Sequence, residues 1–273
     1  MFKIGQVLLS GTIRHSRKDE PEEFRNTPSV TRILKETMPV ESKLRLQIWE
    51  EKMIAEMGRD GFEKMQQLTL KRGHRLHSTI GISLKFWNVV GSRLNFHLSN
   101  FVLILYSYQI IFSETYFETG NINPKQYNDP VSNNHVESLV EHLPRFARPP
   151  LSTESLIVHP DLNYKGYMDC CTIIYDESNI RSRSKLALID WKSSQKPKES
   201  LGATFDNPLQ LAAYIGAFNH DSKYPFQVNE GLIVIVYNSG RSATLLPIRP
   251  KMLEKYWKAW LHRLYLYKKS KNE

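Results

Sequence analysis

The chain has 273 residues, long enough to bury one full core with elaborations, and its 41% hydrophobic and 11% aromatic content excludes an intrinsically disordered protein. A net charge of +9, with pI near 9.4, favours a polyanionic partner, either nucleic acid or an anionic membrane surface. The only cysteines, Cys170 and Cys171, are adjacent, which excludes a disulfide framework, suits a reducing compartment and leaves too few thiolates for a four-cysteine iron–sulfur cluster. Both read as small buried residues.

Residues 1–18 contain no acid and carry Lys3, Arg14, Arg17 and Lys18, a composition compatible with the end of a mitochondrial transit peptide, although poorly amphipathic. A charged linker, 19–26, follows. Ser29 after Pro28 marks a helix start, with Val30, Ile33 and Leu34 as a short apolar face. Leu46, Trp49, Met53 and Met57 recur at three- and four-residue steps, which predicts an amphipathic helix ending near Gly58 with that stripe in the core. Asp60 is placed to cap a second helix carrying Phe62, Met65, Leu68 and Leu70 towards Gly73.

The stretch 94–112 has no charged residue and is about as long as a membrane-spanning helix. Three readings are open for it: a buried helix, a membrane span, or a retained intron translated into protein. Residues 119–134 read as a loop, and 135–146 as a short helix stopped by Arg148-Pro149-Pro150. A first strand is expected at 154–158, a turn at 163–166, a second strand at 168–175 and a hairpin loop at 178–184.

Residues 186–192 are an apolar run ending in charge, and strand alternation puts Asp190 and Lys192 on one face. A strand pairing with it from Met168 would bring Asp169 beside Asp190. Two carboxylates held close repel unless a cation lies between them, and Mg²⁺ or Mn²⁺ prefers such oxygen ligands. Lys192 would then orient the attacking water or offset charge growing on a phosphate. An acid-x-Lys triplet alone is expected on the order of once by chance in a chain of this length. It gains weight from the apolar strand that delivers it, from Asp169 upstream, and from Gln210 and Tyr214 at helical i,i+4 spacing downstream.

Between these lie Ser193, Ser194, Lys196 and Lys198, a basic polar patch that reads equally as a phosphate contact or an exposed loop. Asp206 or Asn207 is placed to cap the Gln210 helix, with Pro208 in its first turn. Residues 231–237 form a continuous apolar run, a central strand buried on both faces, with an edge strand expected at 243–247. The last helix, from Pro250, groups Leu253, Tyr256, Trp257, Trp260 and Leu264 on one face. Lys251, Lys255, Lys258, Arg263, Lys268 and Lys269 are expected outside that face or at its ends. This reads as a docking helix with a solvated basic side; base stacking on its aromatics is the alternative.

Gly166-Tyr167-Met168-Asp169, Ile189-Asp190-Trp191-Lys192 and Gln210 with Tyr214 together resemble the PD-(D/E)xK nuclease superfamily, in its RecB-like exonuclease branch. Within that branch the wording is similar to the mitochondrial DNA-maintenance members. It includes Leu162-Asn163-Tyr164, Thr204-Phe205-Asp206-Asn207-Pro208-Leu209-Gln210, Asn219-His220-Asp221, Gly231-Leu232-Ile233-Val234, Pro28-Ser29-Val30-Thr31-Arg32 and Gly73-His74-Arg75-Leu76-His77. The resemblance covers most of the chain except about 80–134, where the family has only a helix and a short connection. The 89–113 stretch therefore reads as a lineage insertion or gene-model artefact, since a span would separate His77 from the carboxylates.

The resemblance implies an α/β fold with an αβββαβ core, a mixed central sheet flanked by helices and an N-terminal helical elaboration. It divides the chain into a basic N-terminal segment (1–27), N-terminal helices with His77 (28–88), the apolar insert and loop (89–134) and the nuclease core (135–273). By the same resemblance, Asp169, Asp190 and His77 are metal ligands for one or two Mg²⁺ or Mn²⁺ ions, with Glu154 as a further candidate, and Lys192 is catalytic. His77 takes its place from the Gly73-x-x-x-His77 pattern. Gln210, Tyr214, Ser193, Ser194 and Lys196 support the site or the bound strand. The implied activity is hydrolysis of single-stranded DNA from its ends in the mitochondrial matrix, alongside other mitochondrial DNA replication proteins and without membrane insertion. Two alternatives stay open: a same-fold nuclease acting internally or on RNA or branched substrates, and an inactive nucleic-acid-binding module.

Overall fold

The computed structural model describes residues 20–91, 130–146, 150–175 and 184–272. Most of the expected apolar insert, the 178–184 loop apart from Ser184, and the basic N-terminal segment up to residue 19 lie outside them. Five helices are named in chain order: α1 (Val30–Glu36), α2 (Val40–Gly91), α3 (Pro130–Leu139), α4 (Asn207–His220) and α5 (Pro250–Asn272). Five strands, β1 (Ser152–His159), β2 (Tyr164–Ile174), β3 (Lys185–Ser194), β4 (Gly231–Tyr237) and β5 (Thr244–Ile248), form one sheet in the order β1-β2-β3-β4-β5. Neighbours run antiparallel except β3 and β4, which are parallel. A parallel pair needs a crossover, and α4 supplies it. The α/β class with a mixed sheet flanked by helices is as expected.

Each face of the sheet has its own core. On one, Met168, Leu188, Ile233 and Ile235 are buried with Val30 and Ile33 of α1, Leu211 and Phe218 of α4, and Trp260 and Leu264 of α5. On the other, Cys170, Ile189, Trp191, Val234 and Val236 are buried with Leu76 of α2 and Leu139 of α3. β4 is buried along its whole length, as its unbroken apolar run predicts. Pro247 lies on β5, the sheet edge, where a missing amide costs no ladder bond. The Ser29 hydroxyl caps α1 by accepting from the Arg32 amide at 3.2 Å, as its position before the apolar face suggests.

Residues 130–134, expected in a loop, belong to helix α3 (Pro130–Leu139), and two further expectations are corrected. The stripe Leu46, Trp49, Met57 is not core: these side chains are 42%, 43% and 40% exposed. Helix α2 breaks at Gly58 (φ 74°, ψ 164°), and the ring centroids of Trp49 and Phe62 lie 5.8 Å apart, whereas a straight helix would separate them by about 20 Å. The two segments fold back on one another as a hairpin, and the second continues past Gly73. Arg263 is the other correction. It lies among the buried residues Trp260, Leu264 and Tyr267 and is itself only 7% exposed. Its guanidinium donates to Thr37 Oγ1 at 2.7 Å, to the Leu34 carbonyl at 2.5 Å and to the Asp206 carboxylate, tying α1, α5 and the start of α4 together.

A second anchor holds the chain before α1 to β2. The Lys165 amide donates to the Pro28 carbonyl at 3.0 Å, and the buried Lys165 ammonium reaches Glu20 and the Phe24 carbonyl, each at 2.5 Å. Among the described residues no helix is long and apolar enough to cross a membrane.

Candidate active site

Three acidic residues fall in line across β1, β2 and β3. The β1–β2 ladder pairs Thr153 with Cys170 and Ser155 with Met168, so the one position between them sets Glu154 opposite Asp169. The β2–β3 ladder pairs Cys170 with Ile189, and one step further sets Asp169 opposite Asp190. There the Trp191 amide donates to Asp169 Oδ2 at 2.8 Å, which fixes the carboxylate against β3.

The strands are irregular at this row. Met168 and Cys171 pack into one core and Cys170 into the other, so the side-chain alternation of β2 slips at Asp169. Glu154 has φ 46°, a left-handed backbone uncommon for a side chain of its size. Behind it the Ser155 hydroxyl donates to the Thr153 carbonyl at 3.0 Å and lies 2.7 Å from Ser152 Oγ. Strain of this kind costs about 1–3 kcal/mol and survives where its surroundings hold it.

Asp190 is 1% exposed. Lys192, two residues on and on the same face as predicted, donates to Asp190 Oδ1 at 2.9 Å. Its ammonium also lies 2.8 Å from Oδ2, which no donor among the described residues meets in line. Burial pulls the Lys192 pKa down, but the charges of Asp190 and Asp169 and the hydrogen bond outweigh it, leaving the pKa above its usual value. Lys192 is therefore a cation at neutral pH.

The Gln210–Tyr214 pair forms as the i,i+4 spacing implies: Gln210 Nε2 donates to the Tyr214 hydroxyl at 2.9 Å. Tyr214 is 5% exposed, and its ring lies on Gly166 of β2 so closely that a Cβ there would sit 2.4 Å from Cε1. Glycine at 166 is thus required for α4 to lie against the strand carrying Asp169. Ser194 is buried with its hydroxyl on the Lys196 carbonyl at 2.7 Å, Ser193 is partly buried and Lys196 is exposed. Asp206 stands at the α4 N-cap but makes no side-chain capping bond, and its carboxylate pairs with Arg263 instead. The signal that could have revealed that pair is helical spacing, since Arg263 follows the buried Trp260 by three residues and precedes the buried Tyr267 by four.

The fit of these residues to a divalent cation is partial but chemically sound. Asp169 and Asp190 are hard oxygen donors in adjacent register, and the buried Oδ2 of Asp190 needs positive charge that Lys192 supplies without a hydrogen bond. Among the described residues, no group of three or more His, Cys, Asp or Glu side chains is close enough to hold a metal. The side chain of His77 lies outside the described residues. Its backbone belongs to α2, where Leu76 is buried on the sheet face opposite Asp190. Cys170 and Cys171 are free and buried, as expected.

No protein-family model matches the chain. The chain is 35% identical over 246 residues to mitochondrial genome maintenance exonuclease 1 of Xenopus tropicalis, covering 90% of this chain and 58% of that protein. The Homo sapiens protein of that name is 33% identical over 247 residues, covering 90% and 60% respectively. The Mus musculus protein is 34% identical over 253 residues, covering 92% and 62%. The chain thus spans about three fifths of the length of the curated relatives it matches. Over nine tenths of its own length, the chain is a homologue of these mitochondrial genome maintenance exonucleases.

Proposed function

We propose that the chain is a metal-dependent exonuclease that hydrolyses phosphodiester bonds of single-stranded DNA from its ends, on a RecB-like PD-(D/E)xK core. The observation that carries this is the Asp169–Asp190 row, with the Lys192 ammonium 2.9 and 2.8 Å from the two oxygens of the buried Asp190 carboxylate. The exonuclease names of the homologues support it, as does the chain's net charge of +9. A mitochondrial setting, among the proteins that maintain mitochondrial DNA, is consistent with those names.

In this reading Asp169 and Asp190, with Glu154 and with His77 as the resemblance implies, would hold Mg²⁺ or Mn²⁺. When bound, such an ion supplies Lewis acidity and a water of lowered pKa. Lys192 keeps a positive charge beside the reacting phosphate and offsets the charge that grows there. Asp169 is held by the Trp191 amide, so the two carboxylates stay at fixed separation. Gln210 and Tyr214 brace α4 against β2, and Ser193, Ser194 and Lys196 lie on the path of the strand beyond β3.

The test is degradation of end-labelled linear single-stranded DNA with Mg²⁺ or Mn²⁺, against EDTA and Asp190→Ala. Progressive shortening lost in both controls is expected, and a covalently closed single-stranded circle should resist. Cleavage of the circle would overturn the end requirement, and shortening by Asp190→Ala would overturn the assignment of the site.

A further inference from the structure

Beyond Lys196, the loop 195–206 between β3 and α4 has no part in the reading above, yet it is firmly built. Phe205 is 81% exposed, and its backbone adopts φ 55°, ψ −124°, a region that residues with a side chain avoid. Both neighbours are pinned inward. Thr204 is fully buried, its hydroxyl donating to the Leu201 carbonyl at 2.7 Å. Asp206 is gripped by the buried Arg263 at 3.0 and 3.3 Å. Between two fixed points the chain turns Phe205 out into solvent, at a cost in strain and in apolar exposure.

A cation stands at the ring. Lys198 Nζ lies 4.9 Å from the Phe205 centroid, and the Lys198 amide donates at 3.1 Å to the hydroxyl of Tyr237, whose residue is buried in β4. Lys196 is exposed two residues earlier, and the acidic neighbour Glu199 is engaged by Arg241 at 2.7 Å. The Gln210 amide donates to the Asp206 carbonyl at 2.9 Å, so the loop is rigidly joined to the helix bearing Gln210 and Tyr214.

We propose that Phe205 and Lys198 form a nucleobase-stacking subsite for single-stranded nucleic acid beside the Asp190–Lys192 site. The ring takes a base and Lys198 the adjoining phosphate. An exposed aromatic with an ammonium at its ring suits a ligand that alternates π faces with negative charge. The subsite rests on the nuclease reading for the identity of the strand.

The test is binding of a fluorescein-labelled oligothymidylate in EDTA, read by anisotropy, with the 273-residue wild type, Phe205→Ala, Phe205→Leu, Phe205→Trp and Lys198→Gln. Phe205→Ala and Phe205→Leu should each weaken binding about five- to a hundred-fold, with Phe205→Trp restoring it. Lys198→Gln should reduce the slope of log affinity against log salt by about 0.7. Thermal melts check that the variants are folded. Wild-type affinity in Phe205→Ala would overturn the subsite and leave a protein partner as the ring's occupant. Wild-type affinity in Phe205→Leu would overturn stacking. Metal-dependent shortening by wild type is measured separately: its absence refutes the nuclease reading, while an undiminished Phe205→Ala refutes only the subsite.

Discussion

Lys192→Ala tests the electrostatics of the site directly. It leaves the Asp190 carboxylate, 1% exposed, without the ammonium 2.8 Å from its Oδ2. Removing one partner of a buried ion pair costs about 3–5 kcal/mol. The Lys192 side chain is 25% exposed, so water can enter its place, and about 2–3 kcal/mol is the expected loss. For a chain of this size that lowers Tm by about 4–12 °C. Asp190→Ala leaves the lysine its path to solvent and should cost only about 1 kcal/mol.

Divalent cation then separates the variants. An ion held by Asp190 and present at a hundredfold its dissociation constant stabilises by about 2.7 kcal/mol. Thermal melts in EDTA and in excess Mn²⁺ should show wild type gaining stability and Lys192→Ala gaining at least as much, since the ion replaces the missing positive charge. Asp190→Ala should gain nothing. Equal Tm losses for the two variants, or a Mn²⁺ shift retained in Asp190→Ala, would refute the reasoning.

The remaining predictions probe what surrounds the site. Gly166→Ala places a Cβ 2.4 Å from Cε1 of the Tyr214 ring and should cost about 2–4 kcal/mol, combining overpacking with loss of the Gln210 hydrogen bond. In urea melts the same change should cost much less in a Tyr214→Leu background, and strict additivity would disprove the contact. Burial pushes both cysteine thiols up, Cys170 further through the charges of Cys171, Asp169 and Glu154. Mass spectrometry after iodoacetamide at pH 8 should therefore find native Cys170 and Cys171 unmodified and both alkylated in guanidinium; rapid native labelling would contradict the burial. His159 stacks on His220 at 4.3 Å, and its pKa is lowered by burial and then by His220. A lowered folded pKa means the unfolded chain takes up the proton first, so stability present above the unfolded value of about 6.5 is lost as pH falls. Tm should fall less between pH 7 and pH 5 in His159→Gln than in wild type, and parallel curves would dismiss this histidine as the cause.

What the sequence determined by itself was local. Strand alternation put Asp190 and Lys192 on one face, and the unbroken apolar run fixed β4 as an interior strand. Helical spacing paired Gln210 with Tyr214, and Ser29 after Pro28 marked the start of α1. Each depends on chain periods of two or 3.6 residues, which are properties of neighbours in sequence. Tertiary structure decided everything that depends on which distant segment lies alongside. Register across three strands set Glu154 and Asp190 on either side of Asp169, and the slip at Asp169 is invisible to a period-two reading. Apolar spacing marked Trp49 and Trp260 alike as members of a stripe. One is 43% exposed and the other fully buried, because burial depends on a partner surface rather than on the stripe. Arg263 is the same lesson in charge: its cation set it outside the apolar face of α5 in the sequence reading, and only the arrival of Asp206, Thr37 and the Leu34 carbonyl made a cation stable among Trp260, Leu264 and Tyr267.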